Sequence, residues 1–129
     1  DIFLSEGITV YIENNAKSVP LNYTSEDIKI ILNDSLATEL ILDISHIYDY
    51  DHLRDIINVK CPKMLHIADR YFSVEHEHLP IGEGDINFEL IFSKFLSDFN
   101  GKVILEISED KNVIIDSLTK IQKVMNRML

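Results

Sequence analysis

The sequence predicts an α/β fold of the (β/α)8-barrel type, and three observations predict it. Four short apolar runs read as buried strands: Gly7-Ile-Thr-Val-Tyr-Ile-Glu13, Leu40-Ile-Leu-Asp43, Lys63-Met-Leu-His66 and Lys102-Val-Ile-Leu-Glu106. A helix-like segment follows each run, which implies parallel strands. Each run closes on an ionisable residue, and parallel strands place their carboxyl ends on one face. Four such units could form a small open sheet, or half of an eight-fold barrel.

The first strand covers about Ile8–Glu13, after residues that read as the last turn of a helix. Asn14 to Pro20 is a loop. Thr24-Ser-Glu-Asp27 has N-cap chemistry: a hydroxyl and a carboxyl three residues on can each satisfy the other's free amide. Ile28, Ile31 and Leu32 then follow at helical spacing. Strand two is about Leu40–Ile44. The short helix after it lies near Tyr50–Ile57, with Leu53, Ile56 and Ile57 on one face. Cys61-Pro62 precedes strand three, Met64–Ala68, and Cys61 is expected to be buried or half-buried. The loop from Asp69 to Asp85 is long, and such loops in compact domains are functional or disordered. Its Gly82 and Gly84 allow a tight turn or close approach to a ligand. They lack the strand-to-helix setting of a dinucleotide loop. A helix is expected from about Phe88 to Phe99, stopped by Asn100-Gly101. Strand four is Val103–Ile107. The last helix runs from about Asn112 to Met128, with Ile115, Leu118, Ile121, Val124, Met125 and Met128 on one face. Near-continuous apolar strands fit burial on both sheet faces.

The 129 residues suit a single domain, 1–129, and 46% apolar content can fill a core. No apolar run approaches the ~18 residues of a membrane span, and no signal peptide is visible at the start. A membrane partner is therefore not expected. The single cysteine excludes an internal disulfide and fits a reducing, cytoplasmic compartment. The chain does not begin with Met and starts on a helix end, so it is expected to be a piece of a longer protein. Twelve basic and 22 acidic residues give a net charge of −10. The basic residues are scattered, and nucleic acid is not an expected partner, because phosphate neutralisation supplies most of such affinity. A small phosphorylated substrate held by one or two local cations stays compatible, and Arg70 is placed to pair with one.

Glu13, Asp43, His66 and Glu106 at equivalent strand ends describe a divalent-metal site. Hard cations take oxygen ligands, and a mixed oxygen and nitrogen set suits Mn²⁺, Mg²⁺, Co²⁺ or Zn²⁺. Carboxylates at the ends of core strands are costly unless paired or metal-bound. His46, three residues after Asp43, falls near the same mouth. His76 and His78 in the long loop point to one side, and His52 in the short helix is expected on the surface.

Val10-Tyr-Ile-Glu13-Asn14, Leu42-Asp43-Ile-Ser-His46, Leu65-His66-Ile-Ala-Asp69, Ile81-Gly-Glu-Gly-Asp85-Ile-Asn-Phe88 and Ile104-Leu-Glu106-Ile107 occur in that order. Together they resemble the sugar-phosphate isomerase/epimerase group, with its xylose-isomerase-like TIM barrel and its relation to endonuclease IV. The resemblance implies that this chain is the C-terminal half-barrel, roughly the last four βα units. It implies one divalent ion, most often Mn²⁺, on Glu13, Asp43, His66 and Glu106. His46 is then a substrate contact, with His78 and Arg70 as further substrate-binding candidates. In the endonucleases, His46 and His78 match ligands of a further zinc. This chain departs from that pattern at His76, where the endonucleases have Asp.

The expected activity is isomerisation or epimerisation of a small sugar or sugar phosphate through an enediolate. Glu13 and Glu106 serve as acid and base. Two alternatives stand beside it: endonuclease-like hydrolysis of abasic DNA, and an inactive half-barrel. A half-barrel exposes two strand edges and an apolar face, so self-association or association with the missing half is expected.

Overall fold

The computed structural model describes residues 2–19, 21–34 and 36–127. Pro20, expected in the first loop, and Met128, expected on the last helix, lie outside the described residues. A short helix α1 (Ile2–Ser5) precedes strand β1 (Val10–Glu13). Helix α2 (Ser25–Asp34) leads to β2 (Thr38–Asp43), and a 3-10 turn (Ile44–His46) to α3 (Tyr50–Val59). Strand β3 (Met64–Ile67) enters the long loop, which ends at α4 (Phe88–Leu90) and a π-helical turn (Ile91–Phe95). Strand β4 (Lys102–Leu105) and α5 (Lys111–Asn126) close the described chain.

The four strands form one parallel sheet in sequence order, β1-β2-β3-β4. This is half a barrel. Its register climbs across the sheet: Glu13 lies level with Ile41, Asp43 with His66, and His66 with Ile104. A closed barrel needs stagger of this kind, and here it falls at the β1–β2 and β3–β4 pairs while Asp43 and His66 stay level.

Helices cover one sheet face only. Leu40, Leu42, Leu65 and Ile67 point into the core, where they meet Ile28 of α2, Leu53 and Ile56 of α3, and Ile121 of α5. The alternate residues occupy the other face. There Tyr11 and Ile104 are 44% and 43% exposed, and Ile41 and Met64 are half-buried. Burial on both faces is therefore corrected: the uncovered face is the one a barrel would turn inward. Glu13, Asp43, His66 and Glu106 share its parity.

The Thr24–Asp27 cap forms as expected. Asp27 Oδ2 accepts from Thr24 N at 3.1 Å, and Thr24 Oγ1 accepts from Asp27 N at 3.2 Å. The helix expected over Phe88–Phe99 is shorter and changes from α to π geometry at Ile91. On α5, Ile121 is buried, but Ile115 and Leu118 are exposed, because the packed face runs through Ser117, Ile121, Val124 and Met125 instead. Cys61 is also exposed, since Pro62 takes the buried place at the entrance to β3. His52 does not sit free on the surface. Its ring nitrogens bond Tyr23 O at 2.8 Å and Tyr48 N at 3.0 Å, tying two loops together. Among the described residues, no helix is long and apolar enough to cross a membrane.

Candidate metal centre

The four strand-end residues converge. Ligand atoms from Glu13, Asp43, His66 and Glu106 all lie within 4.8 Å of one another. His66 is the pivot: its Nδ1 is 3.0 Å from Glu13 Oε1 and 3.1 Å from Glu106 Oε2. It stands on β3 between the strands that carry the two glutamates.

Asp43 is the buried member, at 1% exposure. Its Oδ1 accepts from Ser45 N at 2.7 Å and from Ser45 Oγ at 2.6 Å. Its Oδ2 has no hydrogen-bond partner, although it is buried. It lies 3.4 Å from His46 Nδ1, outside hydrogen-bond geometry; a buried carboxylate oxygen without a hydrogen bond is costly, and a cation at the cluster would remove that cost. The carboxylate is held in place from behind. Asn14, fully buried on the neighbouring chain segment, donates from Nδ2 to Asp43 O and accepts at Oδ1 from Asp43 N.

Burial raises the Glu13 carboxyl above its ordinary value; His66 opposes this, while Asp43 and Glu106 add to it. Three carboxylates crowd one histidine, so the group carries excess negative charge. That donor set, three oxygens and one nitrogen with an unpartnered buried oxygen, fits a divalent ion.

A second cluster adjoins the first. His46, His76 and His78 bring one ring nitrogen each to within 4.8 Å of the others. His46 Nδ1 lies 2.8 Å from Asn14 O, and His78 Nδ1 lies 2.8 Å from Glu106 O. A carbonyl accepts only, so both Nδ1 atoms carry the proton and both Nε2 atoms present lone pairs. Those two Nε2 atoms are buried without partners. His76, despite replacing the expected Asp, completes the trio, though it is exposed. Two glutamate strands and two histidine tethers are thus interlocked through Asn14 and Glu106.

Asn14, Ser45 and Asp69 hold the cluster and the long loop in place through hydrogen bonds, and residue-type reasoning passed over them. The signal for Asn14 was its place directly after Glu13. Asp69 is fully buried and organises the long loop: its carboxylate accepts from Arg70 N, Gly82 N and Ile86 N. The glycines owe their place to this packing. Gly82 has φ of 88°, and a Cβ on Gly84 would meet Arg70 O at 2.4 Å. Arg70 is 3% exposed and lies beside this assembly rather than on the surface.

The chain matches the family described as xylose isomerase-like TIM barrel over residues 1–128. It is similar in structure to a D-tagatose 3-epimerase-like protein, with TM-score 0.75 and 23% identity over 98% of this chain and 51% of that one. It is also similar to a structure described as AsfvAP:AG, with TM-score 0.67 and 19% identity over 95% of this chain and 54% of that one. These identities show the fold. The chain spans about half the length of each of these two structures, at 51% and 54%. No curated protein matches it significantly.

Proposed function

Because the chain belongs to the xylose isomerase-like TIM-barrel family, we propose that it carries the metal-holding half of an isomerase or epimerase acting on a small sugar or sugar phosphate. The observation that carries this reading is His66 Nδ1 held between Glu13 and Glu106 at 3.0 and 3.1 Å, beside the buried Asp43. Two carboxylates at one centre can share the roles of base and acid in proton transfer at carbon.

A divalent ion, Mn²⁺ by preference, supplies Lewis acidity that polarises a substrate carbonyl. Glu13, Asp43, His66 and Glu106 would hold it. One glutamate takes the proton from the carbon beside the carbonyl, leaving an enediolate. The other returns a proton to the opposite face, giving an epimer, or to the neighbouring carbon, giving the aldose–ketose isomer. The raised Glu13 carboxyl suits it to carry that proton. His46 and His78, fixed through their Nδ1 protons, hold substrate oxygens from the side.

The uncovered sheet face and the free edges of β1 and β4 are completed by a second set of four βα units, in a longer chain or a partner. The test is Mn²⁺-dependent interconversion of phosphorylated and free ketoses by the full-length protein. Turnover that needs Mn²⁺ supports the reading, and none across a broad panel sinks it.

The His46–His76–His78 trio favours a second reading, hydrolysis of abasic DNA assisted by further metal ions, since three imidazoles suit Zn²⁺. The net charge of −10 weighs against it. Cleavage of an abasic duplex by the zinc-loaded protein, abolished by His76→Ala, would establish it.

A further inference from the structure

A cavity of about 240 Å³ opens beside the metal centre: His46 lines it, and His46 Nδ1 lies 3.4 Å from Asp43 Oδ2 of that centre. Lys17, Arg70, Tyr23 and Ser73 are on its walls, with Glu75 also there and exposed. Ligand sites of roughly 300–1,000 Å³ take a whole drug-sized molecule, so this cavity takes one end of a substrate.

Its charge is the notable feature. Arg70 is 3% exposed, yet among the described residues no carboxylate forms an ion pair with it. Its guanidinium donates only to the main-chain carbonyls of Val74 and Ile47, and its Nε has no partner. A buried guanidinium without a counter-ion is costly. Lys17 stands across the same cavity, its Nζ 5.0 Å from the centre of the Tyr48 ring, also without an ion pair among the described residues. Two cations without an ion pair among the described residues thus converge on one hollow of a strongly acidic chain, with Asp43 and Glu77 acting on Arg70 only from beyond contact distance. The hydroxyls of Tyr23 and Ser73 add neutral donors. Burial raises the Tyr23 phenol above its ordinary value, so it keeps its proton.

We propose that this cavity is an anion subsite for the phosphate group of a phosphorylated sugar whose carbonyl end lies at the metal centre. A phosphate dianion fits two cations and two hydroxyl donors better than a neutral hydroxyl does. The proposal rests on the isomerase reading and narrows it: the substrate is a sugar phosphate, anchored by Arg70 and Lys17 and presented past His46.

The test is calorimetric titration of inorganic phosphate into the full-length protein freed of divalent ions, at low ionic strength. Saturable binding is expected, and unchanged binding in His66→Ala separates this site from the metal centre. Lys17 is exposed, so Lys17→Met keeps the fold and should weaken phosphate binding about fivefold. Arg70→Met should weaken it at least about tenfold; if that variant does not fold, Lys17→Met decides. No saturable binding, equal affinity in Lys17→Met, or loss of binding in His66→Ala would each overturn the subsite. Metal-dependent turnover is a separate measurement, so the subsite and the isomerase reading fail separately.

Discussion

The side-chain amide of Asn14 closes both main-chain groups of Asp43: Nδ2 donates to Asp43 O at 3.0 Å, and Oδ1 accepts from Asp43 N at 2.7 Å. The pair bridges two neighbouring strand ends as one more rung of a ladder would. Asn14→Ala leaves two buried backbone groups without partners, each worth ~1–3 kcal/mol, so the fold should lose about 2–4 kcal/mol in urea unfolding. Asp43 would also lose its fixed position, and Mn²⁺ affinity should fall about 10- to 100-fold. A variant as stable as the parent would mean that water replaces the amide.

Mn²⁺ should bind the four-residue cluster with one-to-one stoichiometry in calorimetry. His66→Ala removes the group between the two glutamates and should abolish that binding. Ligands must shed protons to bind, so affinity in the parent should also fall as the pH is lowered. Tight binding that survives His66→Ala would place the ion elsewhere, with the His46–His76–His78 trio as the first place to look.

Glu106→Gln keeps size and hydrogen bonding but cannot accept a proton. Turnover of the full-length protein should fall by about 10²–10⁴. His46→Ala should instead mainly raise KM, because His46 is held by Asn14 O and serves position rather than proton transfer. Near-normal kcat for Glu106→Gln would remove the two-glutamate scheme.

Gly84→Ala should be poorly tolerated. The added Cβ would lie 2.4 Å from Arg70 O and 2.5 Å from Asp69 Oδ1, and neither backbone nor a triply bonded buried carboxylate can retreat cheaply. Overpacking of this kind costs ~1–3 kcal/mol. Limited proteolysis should show earlier cutting within residues 69–85. An unchanged digestion pattern would argue against a rigid loop.

Hydrogen bonds from Thr24 hold the Asp27 carboxyl below its ordinary value. A lowered folded-state pKa stabilises the fold above the unfolded-state pKa, and that stabilisation is lost as pH falls through the folded value. Thermal melting of Asp27→Ala should therefore trail the parent at pH 6 and approach it near pH 3. A gap that stays constant with pH would assign the effect to the helix cap alone, without ionisation.

Much of this protein could be read from residue order. Apolar runs closing on Glu13, Asp43, His66 and Glu106 marked the strands, their direction and the four side chains that meet at one rim, because strand period and strand-end chemistry are local properties. The Thr24–Asp27 cap was legible for the same reason, whereas the helix expected to run to Asn100-Gly101 ends at Phe95. The tertiary structure decided what depends on neighbours distant in sequence. It buried Arg70, exposed Cys61 and turned α5 so that Ser117 and Ile121 rather than Ile115 and Leu118 meet the core, and it left one sheet face uncovered, since burial is a property of packing and four strands supply only half a barrel's wall. It joined Asn14 to Asp43 across 29 residues of separation, and it brought His76 to His46 and His78. Sequence fixes which chemical groups are available; only the closure of distant segments fixes which of them face one another.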